Sequence, residues 1–390
     1  MGLMAVGVLA LIIGFLIYGG KNDASGARFW AALLQNSVYF LLITNAAMFF
    51  FAAHALAVAG WELAIRRVTE AVSACVIPLG LITFVILSCL IFGGHSTLYA
   101  WVDPKAVAAD PKLLGKSGFL NPTFFMIFSV VTIGLWILLG YKLRSLSRSI
   151  DDRKLTVAEG KRYIFNNSVW AAVFIVFFAL TVAALLPWLW LMSLQAHWFS
   201  TMFSWYVFAG TFVSGIALVT LFVVYVKNQG YLEYVNKEHI HDLAKYQFAF
   251  TIFYTYVWFD QFMLIWYANI SEETIWFKTR FDGVYEGIFY FNLIINFVAP
   301  FLIYMKRNSK RNWGTVTFMS VLLVFGHWLD FYQIVMPAVS PHRVPLNLFD
   351  FGIALGFVGL IMWQTARVLS RFPLQAKNHP FMKESIIHHT

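Results

Sequence analysis

Asp260, His327, Asp330, Tyr256, Ser320 and His54 are the side chains in this sequence best placed to handle protons. Each lies within a long apolar run. An acid there is costly unless it is protonated, paired or wetted, which makes it a functional candidate by default. The densest stretch is GHWLDFYQ, residues 326–333. His327 and Asp330 are three apart and share a helix face, Ser320 stands two turns earlier on that face, and Gln333 follows. A histidine beside a carboxylate can relay a proton near neutral pH. The competing reading is a set of hydrogen bonds that glue membrane helices together. Tyr256 precedes Asp260 by four residues and is placed to bond it. Tyr285, Asn292 and Asn296 form another polar stripe. His54 stands near the end of its run, and Glu62, Glu70, Asp242 and Lys245 gather near the same surface. That group reads as a funnel leading inward or as a solvated rim.

No Lys or Arg falls deep inside an apolar run, so Asp260, Glu286, Asp330 and Asp350 are expected to lack a cation. Burial without one favours the neutral acid. Glu286 and Asp350 lie near run ends, where interfacial anchoring is the alternative. Two facing histidines at matched depth would be needed for haem. His54 is near an end and His327 is central, so no haem-binding pair is expected. Cys75 and Cys89 share one helical run, about 21 Å apart at ~1.5 Å per residue. That separation excludes a bridge or a cysteine-rich metal site between them.

The elements that position these groups follow from composition. Of 390 residues, 60% are hydrophobic and only 12% charged, against roughly 25% charged in soluble domains. Many apolar runs exceed the ~20 residues that cross a bilayer, and the short alternating segments of a membrane barrel are missing. The expected fold is all-α, a polytopic integral membrane protein. Ten transmembrane helices are predicted over 2–18, 29–60, 71–93, 122–141, 164–192, 199–226, 244–267, 284–305, 314–336 and 348–369. The first lacks the basic start of a signal peptide and reads as a retained helix. The formal charge of +9 resides in the connections and does not point to nucleic acid. Connections after the even-numbered spans, with the span ends that border them, hold 20 of the 28 Lys and Arg, which marks that side, with both termini, as cytoplasmic. Spans two to five and six to nine form matching groups of four, consistent with two four-helix bundles flanked by the first and last helices. The corresponding divisions are 1–28, 29–196, 197–340 and 341–390.

Several stretches together resemble one family. They are HWFSTMFSWYVFAGTFVSG, NKEHIHDLAKYQFAFTIF, QFMLIWYANISEET and HWLDFYQIVMP, with AVAGWELAIRRVTEAV and KSGFLNP before them. The chain resembles, over roughly 29–340, the second large integral subunit (ActF) of alternative complex III, the bacterial quinol:cytochrome c oxidoreductase. That subunit belongs to the polysulfide-reductase-type, NrfD-like membrane proteins. The resemblance implies ten helices and a place in the bacterial inner membrane. It also implies a sister NrfD-like subunit, an iron–sulfur subunit and multihaem cytochrome c subunits as partners, with haem c and iron–sulfur clusters carried by those partners and quinol or quinone nearby. This chain itself would bind no haem, metal or cluster. Where the family pattern has an Asp-Trp pair and an acid before the HW motif, this chain has Leu189-Trp190 and Gln195-Ala196. Asp260 stands where a neutral polar residue is expected.

The expected function is a non-haem membrane subunit that anchors redox partners and conducts protons through the residues named first. Three alternatives remain open. One is direct quinol binding by His327 and Asp330, and another is a purely structural scaffold. The third is a secondary transporter, which would show helices broken mid-membrane.

Overall fold

The computed structural model describes residues 1–21, 23–93, 98–341, 346–376 and 378–389, so the start of the connection between the expected third and fourth spans lies outside the described residues. Among these, every regular element is helical. Ten helices are long and apolar enough to cross a membrane: Gly2–Gly19, Ala24–Leu56, Arg66–Phe92, Pro122–Arg148, Val157–Gln195, Met202–Asn228, Lys237–Ala268, Gly283–Tyr304, Trp313–Val339 and Leu348–Leu369. They are called the first to tenth spans below. The protein is an all-α, multi-pass membrane protein, a form in which each span satisfies its own backbone hydrogen bonds.

Several helices run past their apolar cores. The third begins at Arg66, the fourth continues to Arg148, and the seventh begins at Lys237. Nothing in those charged flanks breaks a helix. Asn236 caps the seventh span, accepting from the Glu238 and His239 amides, as an N-cap asparagine does. Asp103, Asp110 and Asn121 each stand before a proline, and each caps the helix that the proline opens. Each of these steps is a helix start, because proline suits the first helical position.

The second and sixth spans occupy the centre, with 89% and 83% of their apolar windows buried. They approach closely at Gly215, where a Cβ would come 2.7 Å from the Ala46 Cβ and 2.8 Å from the Ile43 carbonyl oxygen. The third and fifth spans pack on the second, and the fourth packs on the third and fifth. The seventh and ninth spans pack on the sixth, and the eighth lies against the seventh and ninth. The tenth packs on the third and second. The first rests chiefly on the tenth, backbone against backbone at Gly7 and Gly356.

Proline shapes two spans without breaking them. A π turn, Thr181–Leu185, precedes Pro187 in the fifth, and another, Ile294–Val298, precedes Pro300 in the eighth. A wide turn accommodates the donor that proline lacks, and both helices continue. Residues 378–388 return to one end of the molecule, called the tail end here. The opposite, far end carries the helix Ser271–Phe281, which packs against the seventh and ninth spans.

Candidate functional site

Asp330 is the centre of a buried polar arrangement that joins the sixth, eighth and ninth spans. It lies 17 positions after Trp313, about 26 Å along the ninth span from the tail end, and is 4% exposed. Its Oδ1 accepts from the Tyr206 hydroxyl of the sixth span and, at 2.9 Å, from Asn292 Nδ2 of the eighth. Asn292 Oδ1 accepts in turn from Asn296 Nδ2 at 2.6 Å. Gly326 makes that stack possible, since a Cβ there would lie 2.1 Å from Asn296 Oδ1. The expected stripe of Tyr285, Asn292 and Asn296 thus does face the ninth span, with Tyr285 donating to the Ser340 carbonyl at 2.7 Å.

A cavity of about 30 Å³ opens beside the carboxylate, bounded by Asp330, Tyr206, Tyr254, Asn296 and Arg280. That volume has room for a single water with polar neighbours. Two of its neighbours, Asn296 Oδ1 and Gln333 Oε1, have no hydrogen-bond partner among the described residues. Arg280 reaches in from the far-end helix. Its Nε donates to the Gln333 carbonyl at 2.8 Å and its Nη2 to the Ile334 carbonyl at 3.0 Å, with the guanidinium over the Trp276 ring. Burial pushes this guanidinium down to about 9, so it stays charged at neutral pH. Asp330 therefore has a cation across its cavity, contrary to the expectation that it lacks one. The sequence hides this because Arg280 comes from a connection.

His327 and Asp330 share a flank of the ninth span but do not bond to each other. The imidazole is fully buried and meets the Tyr254 ring edge-on at 4.6 Å. Gly210 faces its Nδ1 so closely that a Cβ there would be 3.1 Å away. Neither ring nitrogen has a partner among the described residues. The expected direct relay is corrected: the ring turns toward the sixth and seventh spans. Tyr254 bridges the gap sterically, stacked on Tyr206 with centroids 5.3 Å apart.

Nearer the tail end, Ser320 belongs to a second node. Gln247 Nε2 donates to Thr220 Oγ1 at 2.9 Å and to Ser320 Oγ at 3.0 Å, and its Oε1 accepts from the Tyr304 hydroxyl at 2.7 Å. Thr251 Oγ1, one turn beyond Gln247, is buried without a partner among the described residues. One residue before Gln247, the Tyr246 hydroxyl lies 3.1 Å from His54 Nε2, and His54 Nδ1 lies 2.8 Å from the Phe50 carbonyl oxygen. His54, Ser320, His327 and Asp330 thus stand at successive depths, called the polar column below, although no hydrogen bond among the described residues joins one group to the next.

Asp260 and Tyr256 do not join it. Tyr256 is 63% exposed, on the face of the seventh span turned away from the bundle. Asp260 is half-buried and bonds neither Tyr256 nor any other described residue. The four-residue spacing puts both on one side of the helix, but that side is the outer one. Glu286 is exposed at a helix start. Asp350 is buried and paired, with its Oδ2 2.7 Å from Arg28 Nη2, so it is not without a cation. The solvated rim at the tail end is also corrected. Glu62 and Glu70 are fully buried. Glu62 accepts from Arg66 Nε at 2.6 Å, and Glu70 from Arg67 Nη1 at 2.9 Å and from Ser147. Arg144, inside the fourth span and 5% exposed, donates to Ser73 Oγ at 3.1 Å. These arginines lie on helical extensions beyond the apolar runs, which is why hydropathy missed them.

Sequence reasoning passed over Tyr206, Gln247, Tyr246, Tyr304 and Arg280. Gln247 was findable as an amide within an apolar span. Pro337, four residues after Gln333, signals a carbonyl in need of an outside donor. The tyrosines carried no such mark among 17 of their kind.

Fold and site together define a helical multi-pass membrane protein with a buried, hydrogen-bonded carboxylate beside a water-sized cavity. No protein-family model matches the chain, and no curated protein matches it as a relative.

Proposed function

We propose that this chain is a membrane subunit of a bacterial respiratory quinol:cytochrome c oxidoreductase of the alternative complex III type, and that its own task is to hold and pass a proton at Asp330. The observation that carries the proton role is the buried Asp330 carboxylate, held by Tyr206 and Asn292 beside a cavity with room for one water. Two donors and a nearby guanidinium steady the ionised form, while burial favours the neutral one. An acid balanced between the two can take a proton from a water and return it. The placement in a respiratory complex rests on the motif resemblance described above. On that reading the chain anchors a sister NrfD-like subunit, an iron–sulfur subunit and multihaem cytochromes c. Both termini then face the cytoplasm, as the basic connections indicate.

Quinol binding at the same place is the second reading. It is favoured by a wholly apolar groove of about 570 Å³ on the bundle surface, which shares Thr255, Trp258, Leu293 and Phe297 with the cavity. An isoprenoid tail would suit the groove. The cavity as it stands admits a water rather than a ring, so this reading needs Trp258 or Phe297 to move.

The test is Asp330→Asn in the assembled complex, with quinol oxidation and proton release measured together. A fall in proton release at preserved oxidation supports proton transfer, and a raised quinol KM supports the second reading. Unchanged values for both overturn both.

A further inference from the structure

The segment after the tenth span is bonded to the body of the protein at several points. Asn378 Nδ2 donates to the Ile150 and Asp151 carbonyls at 3.2 and 2.8 Å, between the fourth and fifth spans. His379 is buried, edge-on to the Tyr163 ring at 5.5 Å, with its Nε2 3.2 Å from Arg66 Nη1. Ser385 is fully buried. Its hydroxyl donates to the Trp61 carbonyl at 2.7 Å and accepts from the Ala64 amide at 3.0 Å. Glu384 lies over Gly60 so closely that a Cβ there would meet its carboxylate oxygen at 2.5 Å. His388 Nε2 meets Asp242 Oδ2 at 2.6 Å, its ring stacks on Trp61 at 5.9 Å, and its carbonyl accepts from Asn236 Nδ2 at 3.1 Å.

What lies beneath these contacts is the tail-end mouth of the polar column. Trp61 stacks on His388 and meets His54 edge-on, with the His54 ring centroid 5.1 Å from it. A cavity of about 20 Å³ separates His54 from the segment, lined by Ala55, Arg66, Asn167, His379 and Phe381. Asn167 Oδ1 is buried there without a partner among the described residues. The segment therefore closes over a space of one water's size that touches His54. Met382 is its buried apolar anchor, and its other named attachments are polar bonds, each contributing little net against the entropy of ordering a chain end. Such an attachment opens more readily than a greasy one.

We propose that residues 378–388 are a strap that shuts the tail-end mouth of the column, with Ser385 and His388 as its fasteners, and that undoing it gives water access to His54. The proposal concerns access alone and stands apart from whether Asp330 transfers protons.

Thiol labelling of the full chain in lipid nanodiscs, which leave both faces open to the reagent, tests it. In a Cys75→Ser, Cys89→Ser background, Ala55→Cys places a thiol in the small cavity, and Phe199→Cys gives an exposed control at the far end. A membrane-impermeant thiol reagent should label Ala55→Cys slowly in the intact chain. Adding Ser385→Ala and His388→Ala, or ending the chain at Ala376, should speed that labelling at least about ten-fold, the effect of populating a locally open state. The Phe199→Cys rate should not move. An unchanged rate at Ala55→Cys overturns the strap. A rise at both positions also overturns it, because the segment would then be holding the fold rather than guarding the mouth.

Discussion

Arg280 Nε donates to the carbonyl oxygen of Gln333 across 2.8 Å, and Gln333 is four residues before Pro337. Proline has no amide hydrogen, so in an α-helix the carbonyl four residues earlier loses its donor. Arg280 replaces that donor from another helix, and in doing so is anchored at the edge of the Asp330 cavity. Arg280→Ala should therefore destabilise the protein by about 1–3 kcal/mol, the cost of a buried group left unsatisfied. In a Pro337→Ala background the restored amide can serve Gln333, and the loss should shrink by about 0.5–1.5 kcal/mol. Thermal unfolding of the four variants in detergent measures this, and equal losses in both backgrounds would refute the pairing.

Gly326 and Asn296 form a second coupled pair. Gly326→Ala should force Asn296 off Asn292 and cost about 1–3 kcal/mol, as overpacking does. With Asn296→Ala already present, the added methyl enters vacated space and the cost should largely disappear. The same unfolding measurement decides it.

The Arg28–Asp350 pair joins the second span to the tenth, with both carboxylate and guanidinium out of bulk water. Removing one partner strands the other. Arg28→Ala should cost about 3–5 kcal/mol, and adding Asp350→Asn should recover part of it, because a neutral amide is cheaper to leave buried. If the double variant is no more stable than Arg28→Ala alone, the pair is not what matters there.

The strap should loosen in acid. Docked, burial first and then the Arg66 and Arg67 guanidiniums push His379 down to about 2 from an ordinary 6.5. Released, it titrates near 6.5. The released form binds the extra proton, so docking is at full strength above about pH 6.5 and weakens by about ten-fold per unit below it. His388→Gln removes the histidine that faces Asp242 and Lys245, leaving His379 against Arg66, Arg67 and Tyr163. In that variant, protease cleavage of the strap should rise about ten-fold between pH 7.5 and about pH 5.5. His379→Gln should reduce the rise, the remainder belonging to His239, which lies beneath Ser385 at 3.4 Å.

The fold was legible where hydropathy decides it. Ten apolar runs became ten spans. The charged flanks were not legible, because hydropathy ends a span where apolar residues end, whereas the helix at Arg66 or Arg144 continues for want of a breaker. In the site, the spacing of Ser320, His327 and Asp330 correctly aligned them along one flank of the ninth span. It could not say where the His327 ring turns, since that depends on Gly210 and Tyr254 of other helices. Asp260 and Tyr256 failed for a related reason. Helical spacing tells which residues share a side, but only packing tells whether that side faces protein or lipid.

The Gly7–Gly356 contact bears on how the chain is made. Lipid chains attract an apolar helix about as well as another apolar helix does, so a close-packed small-residue seam is what gives the first span a fixed address. Its partner in that seam, the tenth span, comes about 350 residues later in the chain. Until that span is made, the first span is held by its contacts with the second, such as the Trp30 indole donating to the Gly19 carbonyl at 3.2 Å.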